Sequence, residues 1–208
     1  MPSSSIELVP EPIESVLDIM SRFGRTWALC GGWAVDAWLG HQTRDHLDVD
    51  VVVFHEDHQA IFQHLIDSTL IAHDPNVADD TDERWDGRSL DLPAHVHGTS
   101  PGGLKFEFLL NERSEASWIL HEEPLIALPV SSCFRPSAWA ASTVVPEVLL
   151  FYKATAYLDV EDMDRMHDRE DFVALAPQLS EEQRAWLEHA IALVHADHPW
   201  LVDLTGEA

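Results

Sequence analysis

Two stretches of the sequence decide the fold: GGWAVDAWLG at residues 31–40 and LDVDVVVF at residues 47–54. The second is rich in β-branched residues and is predicted to form a buried strand. The first begins with a glycine pair and ends with Gly40, which predicts a tight turn and then a two-turn helix closed by that last glycine. Residues 26–30 are typical of a short buried strand. The order expected over this region is therefore strand, glycine turn, helix, strand.

Helix and strand patterns mix in the first two-thirds of the chain, whereas the last third has only helical patterns. Outside the two decisive stretches, helices are predicted at residues 13–23, 57–68, 146–158, 161–175 and 180–196, and strands around 90–97 and at 104–110 and 118–121. Ser180 and Gln183 have the spacing of a capping box at the start of the last helix. We therefore predict an α+β fold, with a domain of strands and helices at residues 1–135 and a helical C-terminal lobe at residues 136–208.

The charge of the chain limits its partners. It has 12 Lys and Arg residues against 37 Asp and Glu residues, a formal net charge of -25 and a pI near 4.5. Nucleic acids and anionic membrane surfaces are therefore not expected as partners, because binding them requires basic side chains. A cationic small molecule suits this charge better. A salt-rich cytoplasm or a simple need for solubility would explain the acidic surface equally well.

Further sequence features predict a cytoplasmic protein. The two cysteines, Cys30 and Cys133, are far apart in the chain, as expected for free thiols in a reducing compartment. The N-terminal residues have no basic stretch followed by an apolar run, and no apolar run approaches the roughly 20 residues that span a bilayer. Nothing in the sequence pattern indicates an oligomeric state.

Aspartates spaced Asp-x-Asp occur three times, and one pair lies in a predicted strand. The pairs are Asp48/Asp50, Asp80/Asp82 and Asp162/Asp164. In the strand at residues 47–54, the two-residue period places Asp48 and Asp50 on one face and valines on the other. Two like charges side by side cost free energy unless a proton or a cation compensates them. The pair therefore indicates either a solvated strand edge or a site for a hard divalent cation such as Mg²⁺.

A third carboxylate, Glu107, lies in the predicted strand at residues 104–110, between Phe106 and Phe108. An unpaired charge in such apolar surroundings is expensive, so Glu107 either points to water at an edge or has a partner. If its strand neighbours the strand of Asp48 and Asp50, three carboxylates can gather around two metal ions, the arrangement used for in-line phosphoryl transfer.

The glycine pair, Gly31 and Gly32, is predicted at a junction between a strand and a helix. Glycines there allow the backbone to approach a phosphate closely, and the helix start offers free N–H groups and a positive dipole end. A tight turn without a ligand would have the same sequence. The position of the pair about 16 residues before the acidic pair favours the phosphate interpretation.

Together these residues resemble a known signature. GGWAVDAWLG, followed by Thr43, Arg44, His46, Asp48 and Asp50 in the pattern TRxHxDxD, is similar to the signature of the DNA polymerase β-like nucleotidyltransferase superfamily. More narrowly, it resembles the branch of aminoglycoside 2''-adenylyltransferases and lincosamide nucleotidyltransferases. The resemblance is dense over residues 27–54 and specific. Looser similarity continues at residues 106–112, 146–153, 168–172 and 198–201.

The resemblance implies a mixed nucleotidyltransferase-type sheet flanked by helices. It also implies a transferase that uses Mg²⁺ and moves a nucleoside monophosphate, AMP from ATP or the equivalent from another NTP, to a hydroxyl of a small-molecule acceptor. The implied acceptor is an aminoglycoside-like or lincosamide antibiotic, and the implied role is antibiotic resistance. By the same resemblance, residues 1–135 are the nucleotidyltransferase catalytic domain.

Roles for individual residues follow from the resemblance. It implies that Asp48 and Asp50 hold the metals and that Glu107 is the third carboxylate, either a metal ligand or the base for the acceptor hydroxyl. The resemblance implies Asp as the third carboxylate in close relatives, so Glu107 departs from that pattern. The nucleotide side of the implied site comprises Gly31 and Gly32 around the triphosphate, Arg44 neutralising it, and Lys153 reaching its phosphates from the helical lobe. Asp36 is interpreted as a support for the glycine turn.

Two other interpretations stay open. One is a non-catalytic nucleotidyltransferase fold acting as a binding or antitoxin module, and the other is nucleotidylation of tRNA or of a protein.

The chain has 13 histidines, among which His95 and His97 are predicted on one face of a strand. No Cys cluster or His-Glu-x-x-His pattern accompanies them, so zinc is not expected.

Overall fold

The computed structural model describes residues 8–73, 84–121, 123–155 and 166–206 of the 208-residue chain. The chain divides into two compact units, Met1–Thr143 and Val144–Ala208. The domain boundary after residue 135 stays a prediction from the sequence. Two of the Asp-x-Asp pairs, at residues 80–82 and 162–164, lie outside the described residues.

The first unit is a mixed sheet flanked by helices. Its helices are α1 (Glu11–Met20), α2 (Gly31–Leu39), α3 (His58–His64) and α4 (Val130–Cys133). Its strands are β1 (Trp27–Leu29), β2 (Val49–Phe54), β3 (Thr69–His73), β4 (His95–Thr99), β5 (Lys105–Ser114), β6 (Ser117–Ile119), β7 (Ala127–Pro129), β8 (Phe134–Pro136) and β9 (Ser142–Val144). A 3₁₀ turn, His55–Asp57, connects β2 to α3. The predicted α+β fold is confirmed.

Within the described residues, nine strands form one sheet in the order β3-β4-β5-β2-β1-β9-β8, and β6 and β7 extend from the end of β5. β2 pairs in parallel with β5 and antiparallel with β1. On the other side of β5, β4 pairs antiparallel with it, and β3 pairs antiparallel with β4. β2 and β5 therefore lie side by side in the interior of the sheet.

The composition of β2 explains its interior position. Every residue of this strand except Asp50 is buried, so both of its faces are covered. A strand that is buried on both faces is expected to be a continuous run of β-branched and aromatic residues, which is what VDVVVF provides. Asp50 is the one acidic interruption of that run. Placing this charge in an interior strand costs free energy that its surroundings must compensate, so Asp50 is a candidate functional residue.

From Pro146 onward, helices are the only regular elements in the described part of the second unit. It contains α5 (Pro146–Thr155), α6 (Met166–Leu175), a 3₁₀ turn (Ala176–Gln178), α7 (Glu181–Val194) and α8 (Trp200–Thr205). The capping box is confirmed: the Gln183 backbone N–H donates to the Ser180 hydroxyl at 3.2 Å, and the Ser180 N–H donates to the Gln183 side chain at 2.9 Å. Phe172 stacks on Trp200 with ring centroids 4.3 Å apart.

The structure differs from the sequence prediction mainly in short elements. β2 begins at Val49, so Asp48 lies in the bend just before the strand and not within it. β3 was not predicted, and the stretch interpreted as a connector, residues 136–143, includes parts of β8 and β9. Strands of three to five residues carry too few alternations for a clear period-2 signal, which explains these differences. None of the described helices is long and apolar enough to cross a bilayer.

Candidate active site

The glycine turn lies directly against Asp50. Gly31 begins α2 with a φ of +61°, a backbone conformation that favours glycine. The Cys30 backbone N–H donates to the Asp50 carbonyl oxygen at 2.9 Å, which connects the turn to β2. A Cβ built at Gly31 would overlap the Asp50 carboxylate. Glycine is therefore required here for two reasons: the backbone conformation, and the space that the Asp50 side chain occupies.

Strand register brings the predicted carboxylates together. Asp50 of β2 is the direct partner of Glu107 of β5. Directly paired residues of neighbouring strands project from the same face of a sheet, so both side chains lie on one face. Asp48 precedes β2 by one residue and is close enough to Glu107 to repel its negative charge. The structure thus brings Asp48, Asp50 and Glu107 together. Their roles as metal ligands or base stay predictions.

The surroundings of Glu107 raise the pKa of its carboxyl group. Burial raises the pKa of the Glu107 carboxyl, and the charge of Asp48 raises it further, whereas a hydrogen bond with the Asp50 side chain acts in the opposite direction. Two carboxyl groups share a hydrogen bond only when one of them carries a proton. A cation placed among the three groups would compensate the same charge without that proton. This all-oxygen donor set fits a hard dication such as Mg²⁺.

A buried hydrogen-bond chain positions Arg44. The fully buried Asp36 carboxylate accepts from the Thr43 backbone N–H at 3.1 Å and from the Thr43 hydroxyl at 2.5 Å. Its second oxygen lies 2.6 Å from Nε2 of His46, and Nδ1 of His46 lies 3.0 Å from Nη1 of Arg44. Arg44 can only donate, so His46 accepts at Nδ1 and donates from Nε2 to Asp36. Asp36 thus supports the segment at residues 43–46, whereas the sequence suggested a support of the glycine turn.

The second glycine makes room for this chain. A Cβ at Gly32 would lie 2.5 Å from the His46 ring and 2.7 Å from Nη2 of Arg44. The Arg44 guanidinium therefore lies against the first turn of α2, where backbone N–H groups have no partner within the helix. Trp33 packs on the His46 ring, with centroids 4.4 Å apart. A guanidinium beside a helix start is an arrangement suited to a phosphate.

A cleft of about 210 Å³ opens beside Asp48. Trp33, His46 and Lys105 are among its lining residues. Its volume is below the roughly 300–1,000 Å³ of pockets that enclose a drug-sized ligand, so it accommodates part of a ligand. The sequence analysis did not assign His46 or Lys105 to the site. Lys105 was detectable, because it shares the face of Glu107 two residues away on the same strand.

Lys153 lies in the second unit, on α5. Its ammonium is 2.6 Å from Asp171 and 3.1 Å from Asp168, and the three side chains are only 11%, 4% and 13% exposed. Burial lowers the pKa of Lys153, but the two carboxylates outweigh that effect and raise it overall. The structure thus shows Lys153 as the cation of a buried ion-pair cluster. Its proposed reach to nucleotide phosphates stays a prediction.

Comparison with known proteins identifies the family. The family model of aminoglycoside-2''-adenylyltransferase matches residues 12–118, just over half of the chain. The chain belongs to the aminoglycoside-2''-adenylyltransferase family. The resemblance drawn from the sequence is thereby confirmed, and the chain is a nucleotidyltransferase. The matched region contains the glycine pair, Arg44 and all three clustered carboxylates.

Solved structures show that this family member has the family fold. The solution structure of the antibiotic-resistance factor ANT(2'')-Ia has a TM-score of 0.60 at 14% identity, covering 95% of this chain and 96% of that one. ANT(2'')-Ia in complex with adenylyl-2''-tobramycin gives 0.60 at 15% identity, covering 88% and 95%. The lincosamide antibiotic adenylyltransferase LnuA with bound lincomycin gives 0.55 at 18%, covering 81% and 97%. None of the curated proteins matches the chain in sequence.

Replacing Gly31 by alanine tests the contact with Asp50. Gly24→Ala is the matched control, because Gly24 has a φ of +69° and open space, with the nearest atom 3.9 Å from a built Cβ. Both substitutions should lose about 1 kcal/mol of unfolding free energy to the left-handed backbone conformation. Gly31→Ala should lose about 1–3 kcal/mol more through overlap with Asp50. Equal losses in urea unfolding experiments would show that the overlap is relieved at little cost.

The raised pKa of Glu107 predicts a pH dependence of stability. Since the folded protein holds this proton more tightly than the unfolded chain, the free energy of unfolding contributed by Glu107 falls as pH rises above the ordinary value of 4.5. With a metal chelator present, the free energy of unfolding of wild type should therefore fall relative to that of Glu107→Gln as pH rises to 8. The control is Glu115→Gln, an exposed glutamate in the turn that follows the same strand, whose difference from wild type should stay constant across pH. A constant difference between wild type and Glu107→Gln across pH would contradict the assignment.

Lys153→Met should destabilise the protein by about 3–5 kcal/mol, because it leaves two buried carboxylates without their shared cation. Asp203→Asn is the control: it breaks an ion pair with Arg169 whose side chains are 36% and 43% exposed, and it should cost less than about 1 kcal/mol. Urea unfolding at pH 7 measures both. A Lys153→Met loss as small as that of the control would show that the cluster contributes little. A raised KM for ATP in Lys153→Met alone would support the nucleotide role.

Proposed function

We propose that the chain transfers AMP from ATP to a hydroxyl of a polycationic, aminoglycoside-type antibiotic. Family membership supplies the reaction class. The observation that carries the proposal is the pairing of Asp50 with Glu107 beside the glycine turn, with Asp48 next to them. A lincosamide acceptor or another NTP would use the same groups, and these are the alternatives that the experiment below separates.

The three carboxylates are proposed to hold Mg²⁺. Asp48, Asp50 and Glu107 offer only oxygen donors, and burial together with the charge of Asp48 raises the pKa of Glu107, so a bound dication would stabilise the charged form of this carboxylate. When bound, Mg²⁺ neutralises the charge of the phosphates and of the departing pyrophosphate.

The turn at Gly31 and Gly32 is proposed to bind the triphosphate. Both glycines open α2, where free backbone N–H groups and the positive end of the helix dipole favour an anion. Arg44 adds a fixed positive charge, held in place through His46 and the buried Asp36. This rigid support lowers the entropy lost when the phosphates are bound. The cleft beside Asp48 offers space to part of the nucleotide.

Glu107 is proposed to accept the proton of the acceptor hydroxyl. The hydroxyl oxygen forms a bond to the α-phosphorus, the bond from that phosphorus to the bridging oxygen breaks, and pyrophosphate leaves. A base works best when its pKa lies near the working pH, and the shift of Glu107 is in that direction. Its other proposed role, a metal ligand alone, would leave the proton to water.

The acidic surface supports a polycationic acceptor. A net charge of -25 attracts a molecule that carries several ammonium groups, and carboxylates bind such groups through charge-assisted hydrogen bonds. The same charge disfavours tRNA as the acceptor. The cytoplasm is the proposed compartment, because the buried Cys30 and Cys133 form no disulfide. Resistance to the antibiotic is the proposed consequence of the reaction.

Pyrophosphate release tests the proposal. Purified protein is incubated with Mg²⁺, each of the four NTPs, and a panel of aminoglycosides and lincosamides, and the nucleotidylated product is identified by mass spectrometry. We expect release with ATP and an aminoglycoside. Asp48→Asn should lower the rate by at least about 100-fold, since one charge of the metal-binding group is lost. Asp45→Asn, an exposed aspartate three residues earlier, should retain the rate.

The possible results separate the parts of the proposal. Undiminished release in Asp48→Asn would overturn the metal assignment. If only lincosamides give release, the acceptor is a lincosamide and not an aminoglycoside. If only another NTP gives release, that NTP and not ATP is the nucleotide substrate. Release with no small molecule of the panel, together with labelling of tRNA or protein in a cell lysate, would overturn the acceptor class.

A further inference from the structure

Three histidines lie together on the sheet next to Glu107. His95 and His97 are two residues apart on β4 and so share a face. His73 of β3 is the direct partner of His95, and Glu107 of β5 is the direct partner of His97. By these pairings, the three imidazoles and the Glu107 carboxylate project from the same face of the sheet. His73 could not be placed beside His95 and His97 from the sequence, because no strand was predicted around it.

The imidazole nitrogens are close enough to share one ion. One ring nitrogen from each histidine lies within 4.8 Å of the corresponding nitrogens of the other two. In tetrahedral zinc sites, with Zn–N distances of about 2.0–2.1 Å, neighbouring nitrogens are about 3.3 Å apart. Binding an ion therefore requires the imidazole nitrogens to approach one another by up to about 1.5 Å. The backbone thus already provides the framework of a three-histidine site.

Glu107 supplies an oxygen at the edge of this cluster. Its Oε1 lies 3.9 Å from Nε2 of His95 and 3.7 Å from Nε2 of His97. These distances are too long for hydrogen bonds, but they leave space for an ion bound between the groups. The side chains of His95 and His97 are 39% and 48% exposed, so an ion can enter from solvent.

Ring packing alone explains part of the arrangement. His73 stacks on His95 with centroids 4.7 Å apart, and His97 meets His73 edge to face at 4.7 Å. Stacked and edge-to-face contacts of this kind are favourable between aromatic rings. They do not require that one nitrogen of each ring converge on the other two, nor that a carboxylate oxygen lie beside them. Those two features are what a metal site needs.

We propose that His73, His95 and His97 form a binding site for a zinc-class transition-metal ion, with Glu107 as the nearest further ligand. Imidazole nitrogens favour Zn²⁺, Co²⁺, Ni²⁺ or Cu²⁺, whereas Mg²⁺ favours oxygen donors. This site is therefore distinct in chemistry from the proposed magnesium site, although both include Glu107. The inference goes beyond the proposed function and does not depend on nucleotidyl transfer.

Zinc binding by the full-length protein tests the site directly. The protein is stripped with a chelator and dialysed, and Zn²⁺ is titrated against a chromophoric competing chelator in the presence of millimolar Mg²⁺. Wild type should bind one equivalent of Zn²⁺. His73→Gln and His97→Gln should each weaken Zn²⁺ binding by at least about 100-fold. Loss of a residue that only supports a metal ligand lowers metal affinity by about 10–100-fold, and loss of a direct ligand should lower it at least as much. His189→Gln, on the exposed side of α7, should bind as wild type does.

Further variants keep the result independent of folding and of catalysis. Asp48→Asn should weaken Zn²⁺ binding far less than His97→Gln does, because Asp48 offers no ligand to this site, even though it is expected to lose pyrophosphate release. Co²⁺ bound to wild type should give the intense visible absorption of a tetrahedral site, and this band should be missing in His97→Gln when circular dichroism shows that the variant is folded. Binding of no Zn²⁺ by folded wild type, equal weakening in His189→Gln, or full displacement by Mg²⁺ would each overturn the site.

Discussion

The parallel pairing of β2 with β5 is the constraint on which the rest of the site depends. It places Asp50 directly opposite Glu107, two carboxylates that would repel each other without a proton or a cation. The sheet tolerates this because all other residues of β2 are buried apolar side chains that hold the strand in the interior. A slip of one residue would turn Glu107 to the opposite face and bring a phenylalanine into its place, so register and chemistry cannot be separated.

Around this pair, the local structure is arranged so that polar groups support one another. Gly31 leaves the space that the Asp50 carboxylate fills, and Gly32 leaves the space for His46 and Arg44. Asp36, fully buried, is compensated by Thr43 and His46, and His46 in turn fixes Arg44. If one member of this buried chain is missing, its partners lose hydrogen bonds and the folded state loses free energy. The complete network therefore favours a single arrangement of these side chains. The helix start and the guanidinium are thereby held together before any ligand arrives.

The sequence was sufficient for the fold class, the family and the main carboxylates, because these depend on local patterns. The β-branched run at residues 47–54, the glycine pair and the capping box at Ser180 are each readable within a few residues. What the sequence could not provide was long-range register: nothing local shows that Glu107 pairs with Asp50, or that His73 pairs with His95. β3 is only five residues long, and the surroundings of Lys153 depend on a neighbouring helix. The strand pairings and the surroundings of Lys153 are tertiary features, and the periodicity of the sequence does not predict them.

The length of the Glu107 side chain gains a physical explanation from the neighbouring strands. One additional methylene moves the carboxylate further from β5, and its two oxygens can then serve different neighbours. One side of Glu107 meets Asp50 through a hydrogen bond, and Oε1 lies 3.7 Å from His97 on the other strand. A shorter aspartate would keep the carboxylate closer to the backbone and further from the imidazoles. A glutamate therefore fits a position at which one carboxylate lies between the carboxylates of Asp48 and Asp50 on one side and the imidazoles of His95 and His97 on the other, with the register of three strands fixing both contacts.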